Sequence, residues 1–389
     1  MNVNIVLSFG LLIQTIFGIT NCTAKEPNTF NFEIYEPSFK KVDSFSRPVM
    51  FIGIGIHSIG FSPKNERMFA QLYYLDSNNS KLLEGPEVNY KITKGISNIG
   101  IMGIRPDNKS FFVSVLEKLF EYDSNLKIKK EISIEEFKFE PNSCKYQFAG
   151  FGKASNETLW FGVNKIWLEE GKKWSKRFLS EWDFNKSPST RLIGIIDSLP
   201  EGMTVDMQNH KVFTFGSANS EIYDFKTMKI ETAPYSGNYF ADFDPNYGLL
   251  LSKTTIHSPD EQALIIKYDI TKDQKIVVDE GLSAVWGLNG DIYFCDKRKQ
   301  IWRCSSDGKQ RSLFSSGIPK PVDLNVQMEP PKVSNDRTMI AFNYSNGVLK
   351  PEEEIVGTVL IDLQEHEYII LHNKSFSYNR MGWLIKDKK

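Results

Sequence analysis

An apolar run closed by a polar turn with Asn recurs seven times, and this recurrence limits the fold more than any other feature. The runs and turns are IGFSPKN (59–65), MGIRPDN (102–108), AGFGKASN (149–156), MTVDMQN (203–209), ADFDPN (241–246), AVWGLN (284–289) and a looser PPKVSN (330–335). Their turn residues are Asn65, Asn108, Asn156, Asn209, Asn246, Asn289 and Asn335, separated by 43, 48, 53, 37, 43 and 46 residues. A later run keeps step with them: LYYLD (72–76), LFEYD (119–123), IWLEE (166–170), EIYDF (221–225), IIKYD (265–269), IWRCS (301–305) and VLIDL (359–363). So does a further one, from KLLEG (81–85) through KIVVD (275–279) to EYIIL (367–371).

Apolar residues alternate within these runs, which is the period of a strand. Pro presets φ and Asn or Gly tolerates φ > 0, so Pro-x-Asn, Leu-Asn-Gly and Ser-Asp-Gly read as turns. The high aromatic share, with 28 Phe and 15 Tyr, suits pleated faces. One four-stranded sheet cannot bury both its faces, whereas a ring of such sheets buries them and removes long open edges. Four strands in about 45 residues describe a propeller blade. The expected fold is all-β: a propeller of seven four-stranded blades, with eight and a split closing blade as the alternative. RMGWLIKDKK (380–389) resembles the start of another blade, and FNFEIYEP (30–37) reads as a strand without a blade. The two termini are therefore expected to complete one closing sheet, making 25–389 a single domain.

Segment 286–314, WGLNGDIYFCDKRKQIWRCSSDGKQRSLF, resembles a blade of the NHL and gluconolactonase/regucalcin-like propellers. FSPKNERMFAQLYYLD and VSNDRTMIAFNYS are more similar to the Tol-system periplasmic propeller and its relatives. The resemblance covers roughly 55–375 and rests on blade grammar. No recurrent Gly-His and Trp-Asp pair is present, so the WD-type subclass is not expected.

The N-terminus is of another character. Residues 5–19, IVLSFGLLIQTIFGI, are apolar and uncharged, too short to span a bilayer comfortably and of the length of a signal-peptide core. Export is expected, with residues 1–24 removed by cleavage after Ala24. The other route is lipidation at Cys22, because Ile19-Thr20-Asn21-Cys22 looks like a lipobox, although Asn21 departs from its small residue. A lipid anchor there would be the protein's one tie to a membrane. The net charge of −1 gives no footprint for nucleic acid. Cys295 and Cys304 stand on the two arms of one hairpin, where export would permit a disulfide.

No motif announces chemistry. FIGIGIHSIG (51–60) lacks the phosphate-cradling glycine spacing, and HEYIILH (366–372) has its second His two residues too late for a metalloprotease helix. Trp167 and Trp302 occupy the same slot of two repeats and are assigned to the core, while Trp174 and Trp182 remain open to ligand contact. The propeller resemblance implies that ligands enter where the innermost strand begins, on the face carrying the loops between second and third strands. That face would present His57, Glu201 and Tyr239. It would also carry the long loops 252–263, with His257 and Asp260, and 343–356, with Glu352 and Glu353. Each of these also suits a solvated loop. The expected function is a non-catalytic binding module, without a cofactor, for a protein, glycan or small ligand. The alternative is a lactonase-like hydrolase with Ca²⁺ or Mg²⁺ in the channel, held by oxygen ligands such as Glu201 and Asp242.

Overall fold

Runs of β-branched and aromatic residues separated by tight turns pair antiparallel with their chain neighbours, and no α-helix forms among the described residues. The computed structural model describes residues 39–389 except 60–66, 78–80, 93–98, 138, 140–143, 188–190, 197–199, 217–218, 237–238, 255–260, 270–271, 297–299, 315–329, 346–355, 373–375, 377–379 and 386–389. The N-terminal segment with Cys22, and the strand expected at 30–37, lie outside them. All described residues belong to the unit Glu33–Lys389. Among them, no helix is long and apolar enough to cross a membrane.

The second copy shows the plan. Ile99–Ile104, Ser110–Val115, Lys118–Asp123 and Ile128–Ser133 form a four-stranded meander. Burial follows the order: SFFVSV is buried throughout, whereas IKKEIS is exposed over its first four residues. First strands of successive meanders lie side by side. Met381–Ile385 neighbours Ile99–Ile104, which neighbours Cys144–Ala154, and the series runs on through Pro200–Asp206 and Tyr239–Asp244 to Leu282–Trp286. Lys332–Val333 returns to Met381–Ile385. The fold is a β-propeller.

Hydrogen bonding gathers the strands into five sheets, not the seven expected. Four have four or five strands, and one has twelve. The twelve-stranded sheet is three consecutive meanders, 200–236, 239–280 and 282–313, joined by the single pairs Gly216↔Tyr239 and Lys253↔Leu282. Adjacent meanders approach closely enough there to bridge, so separate repeats in the sequence become one ladder.

The sheet built on Val49–Ile59, Arg67–Asp76 and Leu83–Ile92 departs from the repeat pattern. Its inner strand comes from the other end of the chain: Met381–Ile385 pairs antiparallel with Val49–Ile59, setting Phe51 opposite Trp383. The run expected at 59–65 is therefore not an inner strand, since Ile59 ends a second strand. Lys40–Lys41 adds a parallel edge to Glu367–His372. Between them, Arg47 is buried and donates to Asp362 at 2.8 Å and Thr338 at 2.6 Å, tying the start of the ring to its last sheet.

Apolar faces pack between sheets. One cluster joins Phe213, Phe243, Val285, Ile340 and Val359, and another joins Ile52, Ile54, Ile101 and Val113. The inner strands leave no room at Gly152. A Cβ there would sit 2.5 Å from Met102 O and 2.7 Å from Trp160 O.

Three expectations need correction. Trp167 is half-buried, because Thr158–Glu169 is one long second strand and Trp167 faces Trp174 near its outer tip. Trp182 is a core residue at 3% exposure, packed on Phe137, Phe112 and Phe184. Cys295 and Cys304 form no disulfide. The hairpin register pairs Cys295 with Ile301 and Cys304 with Ile292, an odd offset that turns the two thiols to opposite faces. Cys295 packs with Val285 and Tyr293, and Cys304 with Trp286 and Phe294.

Candidate functional site

Residues of five inner strands and one turn line a cavity of about 70 Å³. One water needs roughly 10–15 Å³ in this measure, so the cavity has room for several waters or a small molecule. Gly152 and Lys153 close one strand of its wall, Val285 comes from Leu282–Trp286, and Ser334, Asn335 and Arg337 come from the turn after Lys332–Val333. Thr204 and Asp242 reach it from two further inner strands.

Arg337 organises the charge. Its backbone is left-handed at φ 62°, uncommon for a residue with a long side chain. That twist carries the guanidinium across the ring. Nη1 donates to Asp242 Oδ2 at 2.5 Å, Nη2 donates to Phe243 O, and Nε lies 3.5 Å from Asp244 Oδ2. Asp242 Oδ2 also accepts the Trp286 N–H at 2.9 Å. Asp242 and Asp244 are almost fully buried, so each carboxylate is held by fixed donors, as buried charges must be.

Two lysines line the same cavity. Lys153 Nζ donates to Asn335 Oδ1 at 3.3 Å, and Asn335 Nδ2 donates to Ile104 O at 3.1 Å. Burial and the positive charge of Arg337 push the Lys153 ammonium down to about 8, against a partial restoring pull from Asp242. Burial and Lys153 push Lys332 further, to about 7, with Asp242 again opposing. Among the described lining residues three are cationic, Lys153, Lys332 and Arg337, and one is anionic, Asp242.

The expected site residues fare unevenly. Asp242 lines the cavity, but as the partner of Arg337 rather than as an open metal ligand. Tyr239 stands at the opposite, N-terminal end of the same strand, half-buried, with Lys253 Nζ 6.0 Å from its ring centroid. His57 and Glu201 lie on strands, but their side chains are outside the described residues, as are His257, Asp260, Glu352 and Glu353. No cluster of three His, Cys, Asp or Glu suited to a metal forms among the described residues. Of the turns between first and second strands, the one after Lys332–Val333 contributes Ser334, Asn335 and Arg337 to the cavity, and Tyr239 is not among the lining residues.

Lys153, Lys332 and Arg337 were missed, although a signal existed. The position three residues before the turn Asn is charged in four of the seven copies, as Arg105, Lys153, Asp206 and Lys332. Charge recurring in a slot that ends an inner strand is an unusual load for a core strand.

No family model matches the chain, and no curated protein matches it. Among solved structures, the chain is similar to TolB from Acinetobacter baumannii, at 10% identity over 86% of this chain and 83% of that one, with a TM-score of 0.42. It is also similar to a protein of unknown function from Bacteroides caccae, at 10% identity over 87% of this chain and 100% of that one, with a TM-score of 0.45. A chain of a nidogen/laminin complex matches at 11% identity over 70% and 97%, with a TM-score of 0.39.

Proposed function

We propose that this chain is an exported β-propeller that acts as a non-catalytic binding module for a protein, glycan or small ligand on one face of its ring. The engagement of Asp242 carries this reading. A lactonase-like hydrolase would need that carboxylate open to a divalent cation, and here it accepts from Arg337 and from the Trp286 amide. Displacing Arg337 would leave a guanidinium beside the incoming metal, in a cavity already cationic. Export is supported by the uncharged apolar run at 5–19, with cleavage after Ala24 or lipidation at Cys22 as the two forms of the mature end.

The test is a calorimetric titration with Ca²⁺ and Mg²⁺ beside a lactone-hydrolysis assay. The binding reading expects no saturable heat from either ion and no turnover above the spontaneous rate. Metal binding that D242N abolishes, together with lactone turnover, would establish the hydrolase instead.

A further inference from the structure

The cavity is a built site, and its chemistry narrows the ligand. Its single described lining carboxylate is committed to Arg337, and the Arg337 fork is in turn spent on Asp242, Phe243 O and Trp286 O. Phosphate is best gripped by such a planar fork, which is not on offer here. Each lysine ammonium brings three donors on a jointed stem. Asn335, anchored on Ile104 O, holds one donor of Lys153 and aims it from the turn. The apolar part of the lining is smaller and comes from Phe151, Met203, Phe240 and Val285.

Resting on the binding reading above, we propose that the cavity takes a small organic carboxylate, its charged head between Lys153 and Lys332 and its apolar body against Met203, Phe240 and Val285. The ligand's charge offsets a cluster that has more cations than anions. It also makes protonation of both lysines favourable again, so ligand and protons bind together. The groups that bear on this titration are Arg337 and Asp242 for Lys153, and Lys153 and Asp242 for Lys332. A longer apolar body gains burial, whereas a doubly charged head pays more desolvation without a fork to receive it.

Titration calorimetry with acetate, butyrate and inorganic phosphate tests the proposal on the chain from residue 25. Butyrate is expected to bind saturably at pH 6.5, several-fold more tightly than acetate, and about tenfold more weakly at pH 9.0. At pH 7.5, buffers of different ionisation enthalpy should reveal net proton uptake on binding. K153M and K332M, checked for an unchanged circular dichroism spectrum, should each weaken butyrate by about tenfold, the scale of one charged hydrogen bond. A silent butyrate titration, binding unaltered in both variants, no proton uptake, or phosphate binding in place of butyrate would each overturn the proposal. Butyrate silence without lactone turnover removes the carboxylate and leaves a binding module for a protein or glycan. Metal-dependent turnover removes the binding reading itself.

Discussion

Arg337 reaches Asp242 across the ring from a turn on another sheet, Nη1 to Oδ2 at 2.5 Å, with its backbone at φ 62°. A strained backbone persists where surrounding bonds over-determine it, and three inner-strand acceptors do so here: Asp242 Oδ2, Phe243 O and Trp286 O. The pair links the strand Tyr239–Asp244 to the turn after Lys332–Val333. It fixes both one side of the cavity and its charge balance.

Removing one partner should cost far more than removing both. R337M leaves a buried carboxylate uncompensated and should lose about 3–5 kcal/mol in urea denaturation. R337M/D242L should recover most of that loss. A single-variant loss below about 1 kcal/mol would mean that the pair is solvated and does not organise the cavity.

The lysines give a pH dependence of definite sign. The folded Lys332 titrates near 7 and Lys153 near 8, against an ordinary 10.5. Between those values the unfolded chain holds protons that the folded chain lacks, so stability rises with pH. Below about 7 the burial penalty is fully expressed. K332M should therefore be more stable than the parent at pH 6.5, by on the order of 2 °C in Tm, with the difference shrinking towards pH 9.5. Higher pH is unsuitable, because buried Tyr268 is pushed up to about 12 and begins to favour the folded state's proton. A difference that grows with pH would contradict the assignment.

Gly152 tests the closeness of the inner strands. A methyl group there meets Met102 O and Trp160 O, both backbone atoms that cannot swing away. G152A should lose about 1–3 kcal/mol, the usual cost of overpacking. A neutral G152A would place neighbouring inner strands farther apart than described.

The cysteines give a simple count. Cys144, Cys295 and Cys304 are unbridged. The chain from residue 25, unfolded without reductant, should show three reactive thiols by a colorimetric reagent. In the native state the buried Cys304, whose thiol is pushed well up by burial, should react slowly. One thiol in denaturant would restore the bridge.

The repeat was legible because strand alternation and turn chemistry are local, and they recur in step. The meanders at 99–133, 200–236, 239–280 and 282–313 follow it closely. What failed depended on register or on long-range closure. Cys295 and Cys304 look symmetric about DKRKQ, yet the hairpin's centre pairs Cys295 with Ile301, and a shift of three residues reverses the face. Trp167 and Trp302 share a spacing and are both half-buried, but Trp302 packs against a core cluster on a third strand, whereas Trp167 stands near the outer tip of a second strand because the hairpin at 158–183 is unusually long. RMGWLIKDKK reads as the start of a blade, but its partner, the sheet at 49–92, lies about 300 residues away, and the pairing of 381–385 with 49–53 comes only from closure of the ring. The slot before the turn Asn marks Lys153 and Lys332 as unusual, but not that they share a cavity. Lys153, Asp242, Lys332 and Arg337 come from three distant segments and meet only when the ring closes.

The most direct test is a crystal structure of the chain from residue 25, soaked with calcium and, separately, with butyrate. The account expects Arg337 on Asp242 in both, no calcium on that carboxylate, and butyrate density between Lys153 and Lys332. A calcium ion held by Asp242, with Arg337 swung away, would contradict it.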